Sequence, residues 1–259
     1  MNKITEVFQK KKVFIAFITG GDPDIETTEK LIIAMAESGV DIIEIGIPFS
    51  DPIAEGIVIQ EASKRALQAG CTVDKLFDMV KKVKEKVEIP LLFMTYINPI
   101  FVYGKERFME KCKASGIDGV IVPDLPFEEK NELASVCAGY DITQISLIAP
   151  TSGERIKAIA KEAQGFLYCV SSLGVTGVRS EIVTNVAEMI NQVKSVSSVP
   201  CAIGFGISRP EQARDMAAVS DGVIIGSAIV KLVAQYGREC VEPVRQFVKE
   251  INDAVTGTT

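Results

Sequence analysis

Residues 37–46 read ESGVDIIEIG and contain the pattern that decides the fold. A helical segment ends near Gly39, a residue suited to the left-handed conformation that commonly closes a helix. After Asp41 comes a run of apolar residues that is typical of a strand covered on both faces. Residues 114–118, ASGID, repeat the order of helix end, glycine and aspartate. The chain is therefore expected to alternate helices with buried parallel strands.

Eight apolar runs follow this pattern, each succeeded by a loop rich in turn residues and a longer segment with helical spacing. The predicted strands are 13–17, 42–45, 91–95, 119–122, 143–148, 166–170, 199–203 and 222–225. The predicted helices are 27–37, 73–84, 106–115, 127–136, 154–163, 182–194, 210–217 and 239–252. This alternation predicts an α/β fold, a single-domain (β/α)8 TIM barrel over residues 1–259, with residues 256–259 as a disordered tail.

An open, doubly wound sheet is the alternative fold. Against it, the loop after the first strand, TGGDP at 19–23, lacks the GxGxxG fingerprint. The interval between strands 2 and 3 is unusually long, which predicts an extra helix at 58–67 and a functional loop at 46–56. A second short helix is expected after strand 8, beginning near Ser227.

The chain has 259 residues and a hydrophobic content of 47%, as in a packed globular protein. It contains no histidine and no tryptophan. The absence of histidine excludes Ser-His-Asp and Cys-His catalysis and every zinc signature that requires imidazole. Acid and base chemistry is therefore left to Asp, Glu, Lys, Tyr and Cys.

The formal net charge of −6 argues against a general nucleic-acid binder, because such a surface repels phosphodiester backbones. The uncharged stretches are interrupted by polar and turn residues, which argues against a membrane span, and the N-terminus lacks the apolar core of a secretory signal. The six cysteines are scattered without a CxxC pair, which favours reduced thiols. We expect a cytoplasmic protein that binds neither nucleic acid nor membrane.

Two glutamates lie where chemistry is expected. Glu44 is in the middle of strand 2, and burial of an unpaired carboxylate raises its pKa until the group is neutral. A structural ion pair is the alternative, but no predicted strand core contains Lys or Arg. We therefore expect Glu44 to be catalytic. Glu55, in the following loop, is expected to serve the same site, because its long side chain caps a helix poorly.

Two aspartates have a less specific setting. Asp51 precedes Pro52 in a turn sequence, where it shapes the turn, caps the next helix or serves the site. Asp124 follows strand 4 at the same rim, where it caps the following helix or serves the site.

Glycines follow three consecutive strands: GVTG at 174–177, GFGIS at 204–208, and Gly226 with Ser227. Neighbouring loops of a barrel meet at one rim, where exposed N–H groups and a helix N-terminus bind a substrate phosphate. The chain has no P-loop, no dinucleotide fingerprint and no strand lysine for a Schiff base. The residues alone predict a metal-free, cofactor-free barrel enzyme that acts on a phosphorylated small molecule.

The run IEIGIPFSDP at 43–52 closely resembles the strand 2 signature of the tryptophan synthase alpha chain family. Further segments match in order: FITGGDP at 17–23, GVTG at 174–177, GFGI at 204–207 and GSAIVK at 226–231. The PFSDP motif is specific, whereas many phosphate-binding barrels have such glycine loops. The resemblance implies a carbon–carbon lyase that splits indole-3-glycerol phosphate into indole and glyceraldehyde 3-phosphate for tryptophan biosynthesis.

The resemblance also implies roles for individual residues. Glu44 matches the general acid at indole C3, which then serves as the base for the glycerol hydroxyl. Glu55 matches a second carboxylate that accepts the indole N–H. The remaining matches are Phe17, Ile59, Tyr96 and Tyr168 in the indole pocket, Thr176 in a closing loop, and Gly177, Gly206, Gly226 and Ser227 at the phosphate.

Two positions depart from the family pattern. Glu55 stands where Asp is usual, and Ile57 stands where a proline is common. The longer side chain requires an adjustment of the loop, and loss of the proline is expected to make the loop more mobile.

The resemblance further implies a partner, a beta subunit that carries pyridoxal phosphate and receives indole through a tunnel in an α2β2 heterotetramer. The loop 48–56 and the segment 96–99 match the contacting surface. Two alternatives stay open: another phosphate-binding barrel enzyme, of the indole-glycerol phosphate synthase or isomerase type, and a noncatalytic subunit that binds a phosphate ligand and activates a partner allosterically.

Overall fold

The computed structural model describes residues 3–9, 12–150, 153–170, 179–204 and 206–257. Eight parallel strands pair in chain order, and the last pairs with the first to close a barrel. The strands are β1 Val13–Thr19, β2 Ile42–Gly46, β3 Leu91–Met94, β4 Gly119–Ile121, β5 Thr143–Ile148, β6 Leu167–Val170, β7 Cys201–Gly204 and β8 Gly222–Ile225. The predicted (β/α)8 barrel is thereby confirmed.

Helices of the described residues surround and close the barrel. They are α1 Lys3–Val7, α2 Ile25–Glu37, α3 Ile57–Gln68, α4 Val73–Val83, α5 Ile97–Tyr103, α6 Lys105–Ser115, α7 Asn131–Gly139, α8 Gly153–Glu162, α9 Arg179–Lys194, α10 Pro210–Val219, α11 Ser227–Tyr236 and α12 Val241–Thr256. Helices α3 and α11 confirm the two extra helices predicted after strands 2 and 8. None of these helices has both the length and the apolar character that a membrane crossing requires.

Helix α12 includes Thr256, the first residue of the expected tail, and residues 258 and 259 lie outside the described part of the chain.

One predicted helix, 127–136, is wrong as a single element. Its first turn is a 3-10 helix, Phe127–Glu129, in which Glu129 N–H bonds to the Pro126 carbonyl and Lys130 N–H to that of Phe127. Both bonds join residues three apart, as in a 3-10 helix, and not four apart, as in an α-helix. The α-helical part, α7, therefore begins only at Asn131 and continues to Gly139.

Helices α1 and α5 were not predicted. Helix α1 has five residues, too few to show a helical period. In α5 the residues Asn98 and Pro99 resemble a turn, yet proline is tolerated in the first helical turn, where its missing N–H has no intrahelical partner.

Aspartates that precede three strands link neighbouring strands by hydrogen bonds at the amino end of the barrel. The Asp41 carboxylate accepts the N–H of Phe14 on β1 at 2.9 Å. In the same way, Asp118 accepts the N–H of Leu91 at 3.1 Å, and Asp221 that of Cys201 at 2.8 Å. An aspartate just before a strand therefore satisfies an N–H at the start of the neighbouring earlier strand.

The core has an inner and an outer layer because strand side chains alternate between the two faces. The inner cluster fills the barrel and contains Ile4, Val13, Ile15, Ile42, Leu92, Ile121, Ile145, Phe166, Ala202 and Ile224. Helix α1 adds Ile4 to this cluster, and Phe8 after it stacks on Phe166 with 5.5 Å between ring centroids. The amino end of the barrel is thus plugged, which leaves the carboxyl end for a site.

Candidate active site

A cavity of about 1040 Å³ opens at the carboxyl ends of the strands, where barrels of this kind have their active sites. The expected site residues that line it are Phe17, Glu55, Ile59, Tyr168, Gly206, Gly226 and Ser227. Thr176 and Gly177 lie outside the described residues. One cavity thus brings together residues of strands β1 and β6 and of the segments that follow β2, β7 and β8.

Further wall residues were missed by the sequence analysis. Met94, Leu147, Val170 and Ile224 add to an apolar lining. Each occupies an inward position of its strand, so the period of two residues marks these positions once one inward residue is known.

Glu44 does not line this cavity. Its side chain on β2 is fully buried, and in the strand register it pairs with Phe17 on one side and Leu92 on the other. Within the described part of the chain, neither carboxyl oxygen has a hydrogen-bond partner. Burial raises the pKa of Glu44 to about 8, because desolvation penalises the charged form. The group is therefore mainly a neutral acid at pH 7, in a state to donate a proton.

Two aromatic rings of the cavity wall lie against glycines at the strand ends. A Cβ atom on Gly204 would lie 2.6 Å from Tyr168 Cε1, and one on Gly46 would lie 2.7 Å from Phe17 Cζ. A Cβ on Gly226 would be 3.0 Å from Phe17 Cδ1. These glycines therefore make room for the rings, a role that the sequence analysis did not foresee for Gly46, Gly204 or Gly226.

Tyr168 also lies within electrostatic reach of the buried acid. Its pKa is raised well above the ordinary value, first by burial and then by the negative charge that Glu44 would carry. The two side chains come from β6 and β2, so the interaction crosses the barrel interior.

Glu55 is half-buried at the cavity wall, just before α3 begins. Its Oε2 atom has no hydrogen-bond partner among the described residues. Burial raises the pKa of Glu55, and a hydrogen bond from the Tyr96 side chain opposes the rise. The carboxyl group therefore keeps an unused acceptor next to the cavity.

Helix α3, which carries Ile59, is anchored by a partly buried ion pair. Arg65 donates from Nε and Nη2 to the two carboxylate oxygens of Asp22, at 2.8 and 2.7 Å. Asp22 lies in the loop after β1 and is almost fully buried, and burial still raises its pKa although Arg65 lowers it. The bidentate pair fixes α3 relative to β1, which carries Phe17.

The structure also shows where Tyr96, Asp124 and Asp51 lie. Tyr96, expected in the indole pocket, is 3% exposed and does not line the cavity. Asp124 accepts the N–H of Ile97 at 3.0 Å, so it caps α5 and not the helix that follows it. Asp51 accepts the Ser50 hydroxyl at 2.5 Å, and α3 has Gly56 as its N-cap, so Asp51 belongs to a turn.

The wall after strands 7 and 8 suits an anion. Gly226 is the N-cap of α11, and Ser227 is its first residue. The first N–H groups of a helix lack intrahelical partners and carry the positive end of its dipole, and α11 has no acidic residue in its first turn. Gly206 has a φ of +63°, with open space around its α-carbon, and Lys231 also lines the cavity.

A metal centre is not apparent in the described part of the chain, where no group of three or more Cys, Asp and Glu side chains is arranged to hold an ion.

Comparison with known proteins identifies the family. The family model described as tryptophan synthase alpha chain matches residues 5–256. A tryptophan synthase alpha chain from Lacticaseibacillus casei is 46% identical over 255 residues, which cover 98% of this chain and 96% of that protein. Another, from Caldanaerobacter subterraneus subsp. tengcongensis, is 47% identical over 262 residues, with 98% and 100% covered.

The fold agrees with this similarity. A crystal structure of tryptophan synthase subunit alpha from Legionella pneumophila str. Paris matches with a TM-score of 0.90 at 34% identity, covering 99% of both chains. On the evidence of its barrel, its cavity and these similarities, the chain belongs to the tryptophan synthase alpha chain family.

Proposed function

We propose that Glu44 and Glu55 carry out the reaction of this family, the cleavage of indole-3-glycerol phosphate to indole and glyceraldehyde 3-phosphate. The observation that carries the proposal is the burial of Glu44. A carboxyl group without a partner in a barrel core is costly, and its pKa of about 8 suits both proton donation and proton removal near neutrality.

The reaction uses Glu44 first as a neutral acid and then as a carboxylate base. The neutral acid protonates C3 of the indole ring, which gives a cationic indolenine. The resulting carboxylate then removes the proton of the C3′ hydroxyl, and the bond between indole C3 and C3′ breaks. Its electron pair restores the aromatic ring, and the oxygen becomes the aldehyde carbonyl, so Glu44 ends as it began. Glu44 does not line the cavity, so its side chain must turn toward the indole ring when substrate binds.

Glu55 accepts the indole N–H through its unused acceptor. The positive charge of the indolenine is shared with that nitrogen, so an ionised carboxylate beside it stabilises the charge as it develops. The apolar wall formed by Phe17, Ile59 and Tyr168 holds the flat ring, and its low polarity strengthens this electrostatic interaction.

The phosphate is assigned to the other end of the cavity. Gly206, Gly226 and Ser227 offer backbone N–H groups there, and the start of α11 favours a dianion. By the family resemblance, Gly177 is proposed as a phosphate donor and Thr176 as a residue that helps to exclude water from the bound substrate. Both lie outside the described residues.

Exposed apolar residues mark the proposed partner surface. Ile53, in the loop before α3, is 80% exposed, and Val102, on α5, is 81% exposed. Ile57, the first residue of α3, and Phe101, on α5, are also exposed. Exposed apolar side chains of this kind are suited to a protein interface. We assign this face to a beta subunit that carries pyridoxal phosphate and receives indole, in an α2β2 assembly, so this chain itself needs no cofactor.

A cytoplasmic location is also proposed, because all six cysteines are free thiols.

The experiment is to incubate the purified chain with indole-3-glycerol phosphate, alone and with a cognate beta subunit, and to measure both products. Equal amounts of indole and glyceraldehyde 3-phosphate are expected, with faster formation in the complex. Binding of glycerol 3-phosphate without any product in either condition would instead favour a noncatalytic subunit.

A further inference from the structure

Among the side chains that contact the loop between β2 and α3, Tyr96 contacts it at two points. Tyr96 is the N-cap of α5, and its backbone is fixed because the Asp124 carboxylate accepts the N–H of the next residue, Ile97, at 3.0 Å. The tyrosine is 3% exposed and lies outside the cavity lining. It therefore acts on the site through the loop and not by direct contact with the cavity.

Residues near both ends of the loop contact this tyrosine. At the start of the loop, the ring of Phe49 packs against the Tyr96 ring, with 5.4 Å between centroids. At its end, the Ala54 N–H donates to the Tyr96 hydroxyl at 3.0 Å. Because this bond uses the hydroxyl oxygen as an acceptor, the hydroxyl proton stays available for another group.

That other group is the carboxyl of the next residue, Glu55. A hydrogen bond from Tyr96 lowers the pKa of Glu55 against the effect of burial. The charge of Glu55 in turn raises the pKa of Tyr96, as does the charge of Asp124. Lys130, Arg155 and Lys231 also line the cavity, but the contact that favours the ionised form of Glu55 is the one with Tyr96.

We propose that Tyr96 is a positioning residue: its hydroxyl anchors the backbone at Ala54 and directs the ionised Glu55 carboxylate toward the cavity. The inference rests on the function proposed above, in which Glu55 accepts the indole N–H. It also accounts for a buried tyrosine hydroxyl behind a loop that contains the longer Glu in place of the usual Asp, since a longer side chain has more rotamers to restrict.

The test is Tyr96→Phe, which keeps the ring that packs on Phe49 and removes only the hydroxyl. Tyr103→Phe is the matched control, because Tyr103 lies on the same helix and its hydroxyl bonds to Asp74, away from the cavity. The titration of Glu55 is followed by NMR with 13C-labelled glutamate, and its signal is assigned by its loss in Glu55→Gln.

The midpoint of the Glu55 titration is expected to rise by about one pH unit in Tyr96→Phe, the size expected for loss of one hydrogen bond to a charged group. The acidic limb of the activity profile is expected to move by the same amount, with kcat reduced about tenfold and KM nearly unchanged. In a Glu55→Gln background, Tyr96→Phe should have no further effect on kcat. Tyr103→Phe should change none of these quantities.

An unchanged Glu55 midpoint in Tyr96→Phe overturns the proposal. The NMR measurement needs no turnover, so it decides the role of Tyr96 even if the chain does not cleave indole-3-glycerol phosphate. The absence of cleavage contradicts the proposed function, whereas an unmoved midpoint contradicts only the role of Tyr96.

Discussion

The ring of Tyr168 lies directly over the α-carbon of Gly204, on the neighbouring strand of the barrel. A Cβ atom at position 204 would be 2.6 Å from both Cε1 and the hydroxyl oxygen of Tyr168. No side chain fits this space, so the glycine at the end of β7 determines where the tyrosine forms the cavity wall.

Gly204→Ala is therefore expected to displace the Tyr168 ring into the cavity. We expect KM for indole-3-glycerol phosphate to rise at least tenfold and the free energy of unfolding to fall by about 1–3 kcal/mol, the usual cost of overpacking. Steady-state kinetics and urea unfolding measure both quantities. Gly139→Ala, at the end of α7 with nothing within 4 Å of its added Cβ, is the control and should change neither by much. Equal effects of the two substitutions would show that the ring contact is unimportant.

Ser227→Asp is expected to have opposite effects on stability and on ligand binding. A carboxylate in the first turn of α11 interacts favourably with the helix dipole, which adds about 0.3–1 kcal/mol to the free energy of unfolding. The same charge occupies the proposed phosphate site and repels the ligand. Calorimetry should show much weaker binding of glycerol 3-phosphate, whereas Ser227→Asn, of the same shape but neutral, should bind it more tightly than Ser227→Asp. Unchanged affinity in Ser227→Asp would place the phosphate elsewhere.

The buried acid Glu44 also predicts how stability depends on pH. The group has a pKa of about 8 in the folded protein and 4.5 as its unperturbed value. Between these values the folded protein keeps a proton that the unfolded chain releases, so Glu44 lowers the free energy of unfolding as pH rises.

Glu44→Gln removes this effect, so the variant should lose less stability than the native protein between about pH 5 and pH 8, by an amount on the order of a few kcal/mol. Urea unfolding at both pH values measures the difference. The burial cost of the amide does not depend on pH and cancels. Glu110→Gln, at an exposed position on α6, should follow the native protein. A parallel pH dependence for Glu44→Gln would mean that the carboxyl is not desolvated.

The exposed apolar residues of α5 and of the loop before α3 predict where the partner binds. Val102→Glu should weaken binding of the beta subunit at least tenfold, because it buries a charge in the interface, and should leave the thermal midpoint nearly unchanged. Leu67→Glu, at an exposed apolar position near the end of α3, is the control. Calorimetric titration with the beta subunit measures the affinity of each variant. An equal loss of affinity in both would contradict an interface centred on α5 and the loop before α3.

Much of the barrel was predictable because its strands are nearly all apolar and its helices end in recognisable glycines. Strand boundaries agree closely; β8, for example, was predicted at 222–225 and observed as Gly222–Ile225. The Asp41 and Asp118 bonds explain why an aspartate recurs before the strands. Glu44 was identifiable as a site residue because burying an unpaired carboxylate in a strand costs free energy, and such a cost is tolerated mainly at functional sites.

The remaining features depend on contacts between residues that are far apart in sequence. The N–H of Ile97 at the start of α5 is accepted by the side chain of Asp124, 27 residues later, so no local signal marks the helix. Tyr96 matched a pocket position by resemblance, yet its hydroxyl bonds to Ala54, 42 residues earlier. Gly46 and Gly204 leave space for the rings of Phe17 and Tyr168 because they have no Cβ atom. A sequence does not show which glycine faces a ring.

The most direct measurement is the rate of indole formation by Glu44→Gln in the complex with the beta subunit. A neutral amide has the shape of the acid but cannot exchange a proton with indole C3 or with the glycerol hydroxyl. We expect the rate to fall at least about a hundredfold, within the range for loss of a general acid–base group, while the affinity for glycerol 3-phosphate stays within about twofold and Glu110→Gln retains the native rate. A near-native rate in Glu44→Gln would contradict the assignment of the proton transfers to the buried glutamate.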